Sequence, residues 1–138
     1  VSPWDPQLQR SAAAVIAGEQ AAAFAYGVAG AHLASGQRAQ ALAGLDEHRL
    51  AATGWAAELR QAGGQSPAAA SQYQLPSDVT NAQHATQLLQ QVEAALVPLY
   101  ADLSAASSGD VRSQAISQAM GCATRAVRWG GATQAFPN

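Results

Sequence analysis

Lysine is missing from this 138-residue sequence, and all seven basic side chains are arginine. The missing lysine is read as base composition rather than as a functional device. With nine acidic residues the formal net charge is −2. General nucleic-acid binding needs a basic face, and this balance argues against one. Cysteine occurs once, at Cys122. An internal disulfide is therefore excluded, and the partners of a metal or redox motif are lacking. The thiol reads as a small buried hydrophobe. No glycine-rich phosphate loop occurs. Ser113 and Ser117 have no His and Asp at catalytic spacing, so nucleophilic hydrolysis is unsupported. The opening VSPWDPQLQR has neither a basic start nor a long apolar run, and no signal peptide is read there. The first apolar stretch is broken by Gly18-Glu19-Gln20, too polar for a comfortable membrane span. The expectation is a soluble, cytoplasmic protein without membrane or nucleic-acid partners.

What is present is alanine, 35 residues of it, and 16 glutamines, a composition that favours helix. The length fits one domain, 1–138, with a continuous core. Helix A is expected over about 6–34, started by Asp5-Pro6 and stopped at Ser35-Gly36, with Gly36 in the left-handed position. Its seam is Leu8, Ala12, Val15, Glu19, Ala22, Tyr26, Ala29, Leu33, alternating steps of four and three. Helix B, about 37–62, carries Ala41, Leu45, His48, Ala52, Trp55, Leu59 and Ala62, and Gly63-Gly64 ends it. The short A–B connection makes these helices antiparallel neighbours. The stretch GGQSPAAASQYQLPSDVT has no helical period. Its roughly 17 residues can extend to about 55 Å, more than the length of a helix of about 26 residues. It can cross the bundle, with Tyr73 and Leu75 as anchors. Helix C, about 79–106, is capped by Ser77 or Asp78 and bent at Pro98. It has two apolar stripes, with Glu93 and Tyr100 on one of them. Helix D, about 110–129, has Asp110 as N-cap. Its seam is Ala115, Gln118, Cys122, Arg125, Trp129, with Ile116, Met120, Ala123 and Val127 beside it. The tail is expected to fold back through Phe136. No internal repeat is evident. Two hairpins joined by a long crossover define an all-α, ferritin-like four-helix bundle.

Bundles of this topology often hold two metal ions, with one Glu from each of two helices and a Glu-x-x-His from each of the others. Glu19 and Glu93 stand on the right two helices for the single carboxylates. The other two helices fail: Leu45 stands three before His48, and helix D has no histidine. Pairing about the C–D turn puts Glu93 near Arg125, Gln118 and Cys122. Pairing about the A–B turn puts Glu19 level with about residues 52–55, with His48 about one turn away. The first reading is a remnant site, Glu19 and Glu93 buried with Arg125, His48 or tyrosine as partners. The other readings are one weak metal ion on Glu19, Glu93 and His48, and glutamates facing solvent. His32 and His84 read as surface groups, and Asp46, Glu47 and Arg49 as a solvated face. Arg125 and Arg128 could stack on or pair beside Trp129.

The segments GEQAAAFAYGVAGAHL (18–33), ALAGLDEHRL (41–50), YQLP (73–76) and AVRWGGATQAFPN (126–138) resemble an actinobacterial ferritin-like family of unknown function. The resemblance spans nearly the whole chain and implies the ferritin-like fold, with no activity attached. Taken together, the residues suggest a metal-free structural or interaction module with no cofactor and no catalytic residues. A homodimer is one assembly that the 49% hydrophobic content suggests. The alternatives are a di-iron or manganese oxidoreductase with an atypical site, and a small-ligand binder lined by Tyr26, Trp55 and Tyr100. A protein partner or a small ligand stays unidentified at this level.

Overall fold

The computed structural model describes residues 3–130, so the expectation for Phe136 lies outside the described residues. Four helices follow one another: α1 Pro6–Gly30, α2 Ser35–Gln61, α3 Ala82–Ala106 and α4 Gly109–Gly130. Among the described residues α1 packs on α2 and on α3, and α3 packs on α4. This is an all-α bundle of two antiparallel hairpins joined by a long crossover.

Each helix starts and stops for local reasons. The Asp5 carboxylate accepts from the Leu8 amide at 2.8 Å, and Pro6 needs no hydrogen-bond partner for its nitrogen. α1 ends at Gly30, four residues earlier than expected, because Ala31 and His32 close a turn and Leu33 folds inward. The left-handed residue of that turn is Ser35 (φ 50°), not Gly36. α2 ends on Gly63 (φ 92°), with the Gly64 amide donating back to the Leu59 carbonyl at 2.9 Å. The N-cap of α3 is Asn81, whose side chain accepts from the His84 amide at 2.8 Å. Ser77 and Asp78 precede the helix instead of capping it. α3 continues through Pro98 to Ala106. Gly109 (φ 59°) opens α4, which places Asp110 in the first turn rather than at the cap.

The expected seams of α1 and α2 are buried, apart from half-buried Leu8 and Leu45. α4 differs. Ala115, Cys122 and Trp129 point inward, but Ile116, Met120 and Val127 are 46–66% exposed. The stripe beside the α4 seam therefore faces outward, because α4 has only α3 as a close neighbour among the described residues. No Cα of α2 comes within 8 Å of α4 among the described residues. The crossover is pinned by the Tyr73 ring against Phe24, centroids 5.3 Å apart, and by Gln20 Nε2 donating to the Pro67 carbonyl at 3.3 Å. Leu75 packs on the core end that contains Leu33 and Leu88.

The core falls into two apolar clusters. One holds Val15, Ile16, Leu59, Leu96 and Leu103; the other holds Ala29, Leu33, Leu88 and Leu89. Between them lies a layer of fully buried polar side chains, Glu19, His48 and Glu93. α1 is long and apolar enough to cross a membrane by length and composition alone. In the bundle, half of that stretch is buried, and Glu19 sits within it.

Candidate functional site

A buried carboxylate must find donors or a counter-charge. Glu19 on α1 and Glu93 on α3 find both in the same places. The His48 imidazole from α2 lies between them, with Nδ1 against Glu19 Oε1 and Nε2 2.8 Å from Glu93 Oε2. Tyr100 donates to Glu19 Oε2 at 2.5 Å, and Tyr26 donates to Glu93 Oε2. Each phenol oxygen in turn accepts from an indole. Trp55 Nε1 donates to Tyr100 at 3.2 Å and Trp129 Nε1 to Tyr26 at 2.9 Å. Arg125 on α4 completes the set, with Nε donating to Glu93 Oε2 at 3.0 Å and the outer guanidinium 3.6 Å from the exposed Glu47. Among the described residues Glu93 Oε1 has no partner.

These contacts fix the helix directions. Glu19 meets Tyr100 while Tyr26 meets Glu93, so α1 runs antiparallel to α3. α2 and α3 are then parallel, which is why the crossover must travel the length of the bundle.

The layer is electrostatically matched: two carboxylates face one imidazole and one guanidinium. Burial pushes the His48 imidazole down, but hydrogen bonds and the negative charges of Glu19 and Glu93 outweigh it. His48 is held up at about 9 and is a cation at neutral pH. Burial raises Glu93, and the His48, Tyr26 and Arg125 contacts more than reverse that, leaving its carboxyl below the ordinary range. Both phenols are pushed well above the ordinary tyrosine value, first by burial and then by the neighbouring carboxylate. The Cys122 thiol is pushed up to about 12, by burial and then by the charge of Glu93. It is a neutral filler, not a nucleophile.

The structure brings Glu19, His48, Glu93 and Arg125 into one layer. His48 is not offset from Glu19 by a turn. Because α1 ends at Gly30 and α2 begins at Ser35, the centre of the A–B turn moves toward the N-terminus, and His48 becomes level with Glu19. Tyr26 and Tyr100 are buried with their hydroxyls engaged. Arg128 is exposed, and Trp129 bonds Tyr26 instead. His32 is exposed and His84 half-buried, both outside the layer. Two cavities of ≈ 670 and ≈ 360 Å³ separate α2 from α4, the larger floored by Glu19, His48 and Trp55 and the smaller lined by Tyr26 and Trp129; Tyr100 lines neither. A third, of ≈ 790 Å³, lies between α1, α2 and the crossover.

Sequence reasoning overlooked a spacing that the two hairpins share at the polar layer. Glu93, Tyr100, Cys122 and Trp129 each lie 74 positions (93 − 19 = 74) after Glu19, Tyr26, His48 and Trp55. The signal is the pattern Glu-x6-Tyr followed by His or Cys-x6-Trp, present in both hairpins. It is sparse because only the polar layer keeps it and the alanine background hides it.

A di-metal centre of the kind such bundles carry does not fit this donor set. Glu19 and Glu93 sit on opposite nitrogens of one imidazole ring, whose lone-pair directions diverge, so the three side chains do not converge on a point. Among the described residues no group of three or more His, Cys, Asp or Glu is arranged to hold a metal ion.

The conserved hypothetical protein rv2844 from Mycobacterium tuberculosis has a similar structure. The match has a TM-score of 0.87 at 25% identity and covers 92% of this chain and 98% of that one. No curated protein matches. A domain of unknown function, DUF4439, matches residues 11–138, and the chain belongs to that family.

Proposed function

We propose that the protein is a structural or interaction module whose bundle is closed by its own ion network rather than by metal. One observation carries this reading: His48 spans Glu19 and Glu93 with both ring nitrogens, at the place where a di-metal bundle needs convergent donors. A protonated imidazole supplies the positive charge between the carboxylates, and the tyrosines supply the remaining donors. A metal would have to expel His48 and disrupt bonds to both carboxylates. The module acts through its surface, because the centre offers no nucleophile, no convergent metal donors and no free acid–base pair.

The test is elemental analysis after expression with added iron and manganese and purification without chelator, alongside melting curves with added metal. Content well below one metal per chain and an unmoved melting temperature are expected. One to two metals per chain, lost in Glu19→Ala or Glu93→Ala, would overturn this reading and make oxidase or peroxidase assays the next step. The opening between α2 and α4 favours a second reading, a small polar ligand seated over Glu19, His48 and Trp55. Ligand binding there would raise the melting temperature of wild type, and a bulky residue at Gly54 would abolish the rise.

A further inference from the structure

Large apolar side chains left in water are informative when they align. Ile116, Met120 and Val127 are 47%, 66% and 46% exposed, and with exposed Ala123 between the last two they fall on one stripe of α4. With helical spacing of about 100° per residue, this stripe lies on the side of α4 away from the α2–α4 opening. It therefore borders the outer face of α3. That face carries exposed Ala94, Ala101 and Ala105, with exposed Gln87, Gln91 and Pro98 in the same two rows. Charge is almost missing there: in the whole of α3 the only Asp, Glu, Lys or Arg residues are buried Glu93 and exposed Asp102, and half-buried His84 lies in the first turn. The one arginine near the stripe, Arg112, is tied to the Ser104 carbonyl at 2.9 Å.

We propose that the outer face of the α3–α4 hairpin is a two-fold interface with a second copy of this chain. Its relief is self-complementary: bulky side chains on α4, small ones on α3. A two-fold axis parallel to the two helices and between them lays α4 of each copy on α3 of the other, seating Ile116, Met120 and Val127 against the partner's alanine-bearing face. A foreign partner would not require this pairing of large and small within one patch. The size also fits. Two helices about 33 Å long, side by side over about 20 Å, present about 650 Å² in projection, and their corrugated accessible surface is larger. A stable interface removes about 800 Å² per partner. The inference is independent of whether the core binds metal.

Sedimentation velocity of the full chain, from about 1 to about 100 μM, tests it over the affinity range of ordinary dimers. Wild type is expected to sediment at twice the chain mass. Met120→Arg and Ala101→Arg, one on each helix, are expected to sediment as monomers with unchanged helical circular dichroism. Leu50→Arg replaces an equally exposed leucine on α2 and is expected to leave the dimer intact. A monomeric wild type at about 100 μM, dimers that survive both α3–α4 variants, or dissociation by Leu50→Arg to the same extent would each overturn the proposal.

Discussion

Raising the pH should unlock the core from one side. His48 titrates at about 9 in the folded chain, against an ordinary value of 6.5. A group whose value is raised on folding contributes stability that is complete below the unfolded value and lost as pH climbs through the folded one. The loss therefore falls between about pH 6.5 and 9 and is complete above that. The gap corresponds to about 3 kcal/mol. Total stabilities are commonly about 5–15 kcal/mol, so this is a substantial part. For a chain of this size it translates into a fall in melting temperature of roughly 10 °C. The assay is differential scanning calorimetry at closely spaced pH values from 6 to 9.5 at fixed ionic strength. Cys122 and the tyrosines titrate in the unfolded chain only at the top of that range or beyond it, so the lower part of the decline belongs to His48. His48→Gln supplies the control: a lower plateau with the slope gone. A wild-type melting temperature flat from pH 6 to 9.5, or a slope of full size in His48→Gln, would refute the reasoning. On the acid side the sign reverses. Glu93 is lowered on folding, so its contribution is present above the ordinary carboxylate value and declines as pH falls below it. Stability should peak at mildly acidic pH.

Glu19→Ala leaves buried His48 and the Tyr100 hydroxyl facing an empty space; a loss of about 3–5 kcal/mol in urea unfolding is expected, and an unchanged midpoint would contradict the buried-pair account. Tyr100→Phe removes the donor to Glu19 and the acceptor of Trp55 and should cost about 2 kcal/mol. Tyr73→Phe, whose hydroxyl accepts only from the exposed Ala70 amide, should cost less than about 0.5 kcal/mol, and equal losses in the two variants would count against the network. Gly44→Ala drives a methyl group into the Tyr26 ring, which Glu93 and Trp129 hold in place, and should cost about 1–3 kcal/mol by thermal melting. Gly54→Ala, with nothing within 4 Å of the new methyl, should be neutral or stabilising by up to about 1 kcal/mol.

Most of the frame was legible in the sequence because burial follows a simple period. Steps of three and four placed Ala12, Val15, Glu19 and Tyr26 on one stripe of α1, and Ala41, His48 and Trp55 on one stripe of α2, and these residues are buried. Turn chemistry was less legible. Gly36 looked like the left-handed residue, yet Ser35 takes that conformation, and the resulting shift of a few residues decides whether His48 reaches Glu19. The environment of α4 was not legible at all. Its apolar positions outnumber what one neighbour can cover, and periodicity does not state how many neighbours a helix has. Ile116 and Cys122 look alike as hydrophobes in sequence; only the position of α4 at a corner of the bundle separates the exposed one from the buried one.

The shared spacing shows how the centre balances its charges. In register, His48 and Ala51 on α2 correspond to Cys122 and Arg125 on α4. Both pairs are three residues apart, the spacing at which a di-metal bundle would present Glu and His to the ions. Here neither pair contains a carboxylate. Each hairpin keeps one glutamate and contributes one cation, at the first position of the pair on α2 and at the second on α4. Two histidines at 48 and 122 would face each other across the carboxylates and repel, and two arginines at 51 and 125 would crowd the opening between α2 and α4. Placing the cations at non-equivalent positions avoids both conflicts. It also breaks the two-fold symmetry that a pair of equivalent metal ions would need. Restoring that symmetry should therefore be costly: Cys122→His adds a second imidazole beside Arg125 and Glu93 and should destabilise the bundle more at acidic than at alkaline pH, where the new ring is neutral.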